Sequence, residues 1–257
     1  MTGWRARLGF LVPPGNPTVE PEMYTMAPRG VSVHFSRLVA RGATGTPSGL
    51  DDRTRSYLEN IDSSAELLAM VRPDVMVLAY TAGSYALGRD GEAALSQRLE
   101  RQFACPFITA FGSVIAALSE LGVSRVALGA PYAEQTTLQG KAALQSYGLQ
   151  VVNHLSLPDV TNIYDETPRR AYWLGRSVDR PDAEAVFLSG TGMPTIEVLD
   201  ALEQDLQKPV ISAASAMLWN ALRTAGIAAS VPGYGRLLAP RGRQSLELRQ
   251  APDRSGR

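Results

Sequence analysis

The sequence predicts an α/β protein built from two pseudo-symmetric halves, each with a parallel sheet, and a cleft between the halves. Three observations lead to this fold class. Short apolar runs alternate with longer helical patterns, which indicates βαβ units and hence a parallel sheet. Several of these runs are apolar at every position, as is typical of strands buried on both faces. Three motifs of the first half also recur, in the same order, in the second half.

Eight short segments have the composition of buried strands. They are residues 7–12, 31–37, 75–80, 106–110, 125–130, 150–155, 185–189 and 209–212. Seven longer segments show helical patterns, namely residues 54–71, 92–103, 113–121, 136–147, 168–179, 195–206 and 214–225. Gly122, Gly148 and Gly226 follow three of these helices, where a glycine in the left-handed conformation commonly ends a helix.

The recurring motifs indicate an internal duplication. In the alignment of the two halves, the equivalent positions are Pro13 and Pro131, Thr81 and Thr191, and Pro106 and Pro209. The offsets of 118, 110 and 103 residues shrink slowly along the chain. The alternative is that buried parallel strands simply resemble one another, because a two-copy repeat of low identity is a weaker signal than a solenoid. A true duplication places a cleft where the carboxyl ends of the strands meet.

The duplication also predicts domain boundaries. We expect the first half to span residues 1–112 together with 221–240, and the second half to span residues 113–220. Residues 241–257 are polar and rich in arginine without a hydrophobic period, so we expect a disordered tail there.

Composition excludes several functional classes. With 45% hydrophobic residues, the chain of 257 residues can bury a sizeable core. The 25 basic and 25 acidic residues cancel, which argues against a nucleic-acid partner. No apolar run approaches the roughly 20 residues of a membrane helix, and no signal peptide opens the chain, so we expect a cytoplasmic protein. A single cysteine, Cys105, and two histidines argue against a disulfide and a metal site.

The loops after the first and third strands carry polar groups suited to a site. In the first loop, Pro14 restricts the backbone and Asn16 offers donors and an acceptor. The alternative is an ordinary turn in which Thr18 caps a helix. In the second loop, the hydroxyls of Thr81 and Ser84 before a helix suit a carboxylate or a developing enolate. Helix capping by these hydroxyls is again the alternative.

The equivalent loops of the second half add two further features. Tyr132 follows the fifth strand, where it either points into the cleft or packs in the core. The segment that begins Ser189, Gly190, Thr191 and Gly192 combines glycines with hydroxyls, as in an anion-binding nest. It matches neither a Walker loop nor a nucleophile elbow.

Six motifs together resemble one superfamily. They are Val12-Pro-Pro with Asn16-Pro-Thr-Val-Glu20, Thr81-Ala-Gly-Ser84, Pro131-Tyr132, Leu188-Ser-Gly-Thr-Gly-Met-Pro-Thr195, Val210-Ile-Ser-Ala through Leu218-Trp219, and Pro232-Gly-Tyr-Gly-Arg-Leu237. Through them, about residues 7–238 resemble the aspartate/glutamate racemase superfamily, in the branch of maleate cis-trans isomerase and arylmalonate decarboxylase. The resemblance implies two α/β halves with the site between them, and chemistry without a metal or organic cofactor.

The resemblance also implies the residues of the site. Enzymes of this superfamily use two cysteines, one from each half, but Tyr80 and Gly190 occupy those positions here and Cys105 matches neither. Tyr80 is therefore the first candidate for proton transfer; Glu20, Glu134 and His34 are weaker ones. The reacting groups implied are Tyr80, Thr81, Tyr132, Gly190 and Thr191. The substrate-binding groups implied are Pro14, Asn16, Ala82, Ser84, Asn162, Ser189 and Gly192.

We therefore expect a cofactor-independent lyase or isomerase that acts on a small carboxylic or dicarboxylic acid through an enolate-like intermediate, without a cysteine thiolate. One alternative is a hydrolase or hydratase that activates water in the same pocket. Another is a degenerate member that binds a metabolite without turnover. The expected partner is a small-molecule carboxylate, not nucleic acid or a membrane, and a homo-oligomer stays open.

Overall fold

The described part of the chain comprises residues 2–40, 46 and 49–239 of this computed structural model. It contains two four-stranded parallel sheets. The first sheet consists of β1 (Ala6–Val12), β2 (Val31–Arg37), β3 (Val75–Leu78) and β4 (Phe107–Thr109), in the order β2-β1-β3-β4. The second consists of β5 (Arg125–Ala130), β6 (Gln150–Ser156), β7 (Ala185–Leu188) and β8 (Val210–Ser212), in the order β6-β5-β7-β8. The predicted tail, residues 241–257, lies outside the described residues.

The two sheets have the same topology, which confirms the predicted fold class of two pseudo-symmetric halves. Each strand of the second sheet takes the place of the strand four earlier in the chain. The three motif pairs of the sequence therefore fall on β1 with β5, β3 with β7, and β4 with β8. All residues of β3 and β7 are buried, as expected for central strands covered on both faces.

Nine α-helices connect the strands within the described residues. They are α1 (Val19–Met26), α2 (Leu50–Glu59), α3 (Ile61–Ala69), α4 (Thr81–Phe103), α5 (Ala110–Glu120), α6 (Glu134–Ser146), α7 (Pro168–Val178), α8 (Leu199–Leu206) and α9 (Ala213–Thr224). Short 3-10 turns occupy Ile163–Asp165 and Ile196–Val198. Gly122, Gly148 and Gly226 have φ angles of 68°, 84° and 71°, so the predicted left-handed helix ends are confirmed.

Three helices differ from the sequence prediction. The predicted helix 54–71 is two helices, because the Asn60 side chain donates to the Ser56 carbonyl and interrupts the helix. Helix α4 begins at Thr81 instead of residue 92, and Gly88 (φ 66°, ψ 176°) kinks it. The sequence prediction also lacks α1, whose eight residues include a proline in the first turn, a position that tolerates proline.

The two halves share a hydrophobic core. One apolar cluster joins residues of the first sheet, such as Phe10 and Val77, to Leu128 and Phe187 of the second. Helices α5 and α9, which follow the equivalent strands β4 and β8, pack against each other along this junction. The Asn220 side chain of α9 donates to the Ser113 hydroxyl of α5 over 3.2 Å. In the described parts of the chain, no helix is both long and apolar enough to cross a membrane.

Candidate active site

Hydrogen bonds tie together the loops that follow β1, β3 and β7, at the carboxyl edge of both sheets. The Asn16 side-chain amide donates to the Thr191 carbonyl oxygen over 3.1 Å, and the Thr18 hydroxyl donates to the Gly192 carbonyl over 2.8 Å. The Thr191 hydroxyl donates to the Ala79 carbonyl over 3.0 Å. These polar side chains, which the sequence places at the site, join one half of the molecule to the other.

A buried carboxylate that the sequence analysis missed reinforces this junction. Glu22 Oε1 accepts hydrogen bonds from the backbone N–H groups of Thr195 (2.7 Å) and Ile196 (3.1 Å). Burial raises the pKa of Glu22 to about 7 against the lowering effect of those two N–H groups. Among the described residues, Glu22 Oε2 and the Thr195 hydroxyl have no hydrogen-bond partner. The α1 helix thus holds the end of the 189–195 loop through one titratable group.

A small cavity lies beside these loops, with a volume of about 30 Å³. Four tyrosines, Tyr57, Tyr80, Tyr132 and Tyr164, line it together with Arg53. This volume holds one or two water molecules. A dicarboxylic acid is larger than this volume.

Tyr80, which the resemblance aligns with the first superfamily cysteine, donates its hydroxyl proton to Thr54. The Tyr80 hydroxyl lies 2.6 Å from Thr54 Oγ1, which in turn lies 2.8 Å from the Leu50 carbonyl oxygen. Because that carbonyl only accepts, the Thr54 proton goes to Leu50 and Tyr80 donates to Thr54. Burial raises the pKa of Tyr80 to about 12, so the phenol is neutral near pH 7. Its oxygen is left to accept hydrogen bonds from the cavity side.

Tyr132 lies beside Gly190, which the resemblance aligns with the second superfamily cysteine. Gly190 has φ 93°, and a Cβ on it would lie 2.8 Å from Pro131 Cγ and 3.3 Å from the Tyr132 hydroxyl oxygen. The backbone at this position therefore disfavours any side chain. Burial, with Tyr85 and Tyr80 nearby, raises the pKa of Tyr132 well above its ordinary value. The neutral phenol of Tyr132 stands between the cavity and the 189–195 loop.

Thr81 is fully buried, and its hydroxyl lies close enough to the Tyr132 phenol to lower the Tyr132 pKa through a weak hydrogen bond. Apart from this contact, Thr81 Oγ1 has no hydrogen-bond partner among the described residues. Thr81 is the first residue of α4, and the residue before it, Tyr80, makes no side-chain capping bond. The Thr81 hydroxyl is thus spared from capping and lies at a helix N-terminus, where unpaired N–H groups favour an anion.

The other predicted binding residues support the loops. The Ser84 hydroxyl donates to the Glu92 carboxylate over 2.7 Å. Ser189 Oγ pairs with the Tyr85 hydroxyl over 2.7 Å. Asn162 caps a 3-10 turn by accepting from the Tyr164 N–H over 3.0 Å. The remaining two have no polar side chain. The Pro14 carbonyl accepts a hydrogen bond from Arg37, and Ala82 is buried in the first turn of α4.

The weaker proton-transfer candidates lie away from the cavity. Glu20 pairs with Arg37 over 2.7 Å, and His34 bonds Ser32. Glu134 bonds His154 and Ser156 near the molecular surface.

Cys105 lies just before β4, at the amino edge of the sheet, opposite the loops of the site. Burial raises the pKa of its thiol to about 11, so little thiolate forms near neutral pH. Across residues 2–40, 46 and 49–239, no three His, Cys, Asp or Glu side chains cluster in a way that would hold a metal ion.

Comparison with known proteins places this site in a family. The model of the arylmalonate decarboxylase family matches residues 8–238. The chain belongs to the arylmalonate decarboxylase family. It is 30% identical over 203 residues to arylmalonate decarboxylase of Bordetella bronchiseptica, covering 75% of this chain and 80% of that protein. It is 27% identical over 249 residues to maleate isomerase of Geobacillus stearothermophilus, covering 91% and 97%.

The fold of the family matches as well. The structure of the maleate isomerase Iso from Pseudomonas putida S16 with maleate superposes with a TM-score of 0.82 at 26% identity, covering 91% of this chain and 97% of that one. This arylmalonate decarboxylase family member is thus an enzyme of the isomerase and decarboxylase group. The relatives give no support to the hydrolase or hydratase alternative.

Proposed function

We propose that the enzyme converts a small carboxylic or dicarboxylic acid through an enolate-like intermediate, without a cofactor and without a cysteine thiolate. The observation that carries the proposal is the Thr81 hydroxyl, which is fully buried at a helix N-terminus and has no hydrogen-bond partner among the described residues other than its weak contact with the Tyr132 phenol. A buried donor with incomplete hydrogen bonding is costly unless a ligand completes it. A carboxylate oxygen that gains charge during the reaction fits this need.

The charge of the enolate is stabilised by neutral donors in this proposal. Thr81 supplies a hydroxyl group, and the backbone N–H groups of Thr191 and Gly192 follow the glycine at position 190. Each well-placed donor of this kind contributes about 3 kcal/mol to the stability of a developing oxyanion. Asn16, Thr18 and Glu22 contribute by holding the 189–195 loop in place.

We assign proton delivery to Tyr132 in preference to Tyr80. In a decarboxylation, the bond between the α-carbon and one carboxylate breaks, carbon dioxide leaves, and the electron pair forms the enolate. The α-carbon then takes the proton from the Tyr132 hydroxyl, whose electron pair stays on the phenolate until water reprotonates it. Tyr132 suits this step because it lies 3.3 Å from the position of a Cβ at residue 190. Tyr80 is less suited, because it would first have to break the hydrogen bond that its hydroxyl donates to Thr54.

The reaction is tested with phenylmalonate and maleate, which represent the two activities of the relatives. Turnover is followed by proton NMR in D2O with the purified protein, and we expect conversion of at least one of them; a decarboxylation should leave deuterium at the α-carbon of the product. A protein that binds these acids with no turnover would instead be the degenerate, metabolite-binding member.

We also propose that the enzyme works in the cytoplasm on a free small molecule, without nucleic acid or a membrane as partner. Cell fractionation tests the compartment, and light scattering after size-exclusion chromatography decides whether the chain forms a homo-oligomer.

A further inference from the structure

We infer that Arg53 determines substrate specificity by binding a second anionic group, a carboxylate, on the α2 wall of the cavity. This inference rests on the proposed function, in which the reacting carboxyl group lies near Thr81 and Tyr132.

The two asparagines that the sequence analysis expects to bind a carboxylate, Asn16 and Asn162, already make hydrogen bonds within the protein. The Asn16 amide donates to Thr191, and its oxygen accepts the backbone N–H groups of Thr18 and Val19. The Asn162 side-chain oxygen caps a 3-10 turn. Neither residue is among those that line the cavity. A second carboxylate therefore needs another partner.

One face of α2 forms a wall of the cavity. Leu50, Arg53 and Tyr57 are spaced by three and four residues, which places them on the same side of the helix, and all three line the cavity. Arg53 is only 7% exposed. The guanidinium lies against Thr46, whose carbonyl and hydroxyl oxygens both accept from it.

Arg53 makes the cavity electropositive. Within the described lining it is the single charged side chain, and the other polar walls are phenols and threonines. Its charge lowers the pKa values of Tyr57, Tyr80 and Tyr164, against the larger raising effect of burial, so its field reaches three sides of the cavity. A guanidinium presents a planar fork of donors that matches the two oxygens of a carboxylate.

The test compares a dicarboxylate with a monocarboxylate of the same length. Dissociation constants of succinate and butyrate are measured by titration calorimetry for wild type, Arg53→Gln, Arg53→Lys and the control Arg55→Gln. Arg55 lies on the same helix with its side chain 69% exposed. We expect wild type and Arg55→Gln to prefer succinate, and Arg53→Gln to lose about tenfold or more in succinate affinity while butyrate affinity changes little.

Arg53→Lys keeps a charge without the planar fork, so its preference should fall between those of wild type and Arg53→Gln. If Arg53→Gln does not fold, as judged by circular dichroism, the Lys variant decides the question. Equal affinity of wild type for the two acids, or an unchanged preference in the variants, overturns the inference. Binding needs no turnover, so loss of this preference and absence of enolate chemistry are separate outcomes.

Discussion

The Thr81 hydroxyl has two competing interpretations, binding of an oxyanion and capping of a helix, which one substitution can separate. Thr81→Val keeps the shape of the side chain and removes the donor. In the proposed mechanism the hydroxyl stabilises an oxyanion, and among the described residues it has only a weak contact with the Tyr132 phenol. We therefore expect kcat to fall about 100-fold while the unfolding midpoint stays close to wild type. Steady-state kinetics and thermal unfolding on the same preparation measure both.

Thr137→Val is the matched control for this prediction. Thr137 is also fully buried, but its hydroxyl pairs with the Ser156 hydroxyl over 2.8 Å and lies near the Ala133 carbonyl. This variant should lose roughly 1 kcal/mol of stability and keep its rate per folded molecule. A Thr81→Val enzyme with wild-type kcat would remove Thr81 from the oxyanion pocket.

The backbone at Gly190 disfavours any side chain, including that of a cysteine. Gly190→Ala meets two penalties: a φ of 93° and a Cβ only 2.8 Å from Pro131 Cγ. Gly122→Ala meets only the first, since no atom lies within 4 Å of its added Cβ at φ 68°. We expect urea unfolding to give a loss of about 1–2 kcal/mol for Gly122→Ala and a larger one for Gly190→Ala. Equal losses would mean that the chain relaxes around position 190.

Sequence reasoning reaches the loops of the site but not the direction of their hydrogen bonds. Two of the residues that the motifs single out, Tyr80 and Tyr132, line one cavity. That Tyr80 donates to Thr54 depends on a helix 26 residues earlier in the chain, which no local pattern links to it. Arg53 carries no motif at all, since a lone arginine on a polar helix looks like a solvated residue until packing buries it.

At the scale of elements, α1 contributes a buried carboxylate that makes stability depend on pH. The pKa of Glu22 is about 7 in the folded chain against an ordinary 4.5, so folding favours the protonated form. The stabilisation is complete below about pH 4.5 and is lost as the pH rises through about 7. Ionisation of Glu22 above that pH opposes folding by up to about 3 kcal/mol.

Glu22→Gln tests this dependence directly. The amide oxygen still accepts from the Thr195 and Ile196 N–H groups but does not titrate. Urea unfolding at pH 5.5 and pH 8.5 should show a smaller loss of stability with rising pH in the variant than in wild type. The same loss in both proteins would show that other groups cause the pH dependence.

The elements that sequence reasoning finds best are the ones that packing buries completely. The strands β3 and β7 are apolar at every position, so their composition is enough. The first turns of α4 escape detection because Gly83, Gly88 and Gly91 weaken the helical pattern. The close approach of Gly83 to the Tyr80 ring, where a Cβ would lie 2.8 Å from Tyr80 Cδ1, is a tertiary reason that the local sequence does not reveal.

At the scale of the whole molecule, the two equivalent halves meet at a junction that holds the cavity. Loops after equivalent strands are hydrogen-bonded to each other, equivalent helices α5 and α9 pack together, and one apolar cluster runs through both sheets. The order of motifs predicted the two equivalent halves, since each motif pair falls on an equivalent pair of strands. The size of the cavity and its cationic wall could not be predicted, because they depend on how α2 packs against α3 and α4 and faces Tyr132 and Tyr164 across the cavity.

The central claim is that Tyr132, which lies beside Gly190, supplies the proton that a cysteine supplies elsewhere in the superfamily. It is tested most directly by comparing Tyr132→Phe with Tyr80→Phe on the substrate that wild type converts fastest, with kcat and substrate affinity measured for each. We expect Tyr132→Phe to bind substrate and lose about 100-fold or more in kcat, as for a lost general acid. Tyr80→Phe should keep most of its kcat and lose some stability with its bond to Thr54. A Tyr132→Phe enzyme with wild-type kcat, or a Tyr80→Phe enzyme that binds substrate without turnover, would contradict the account.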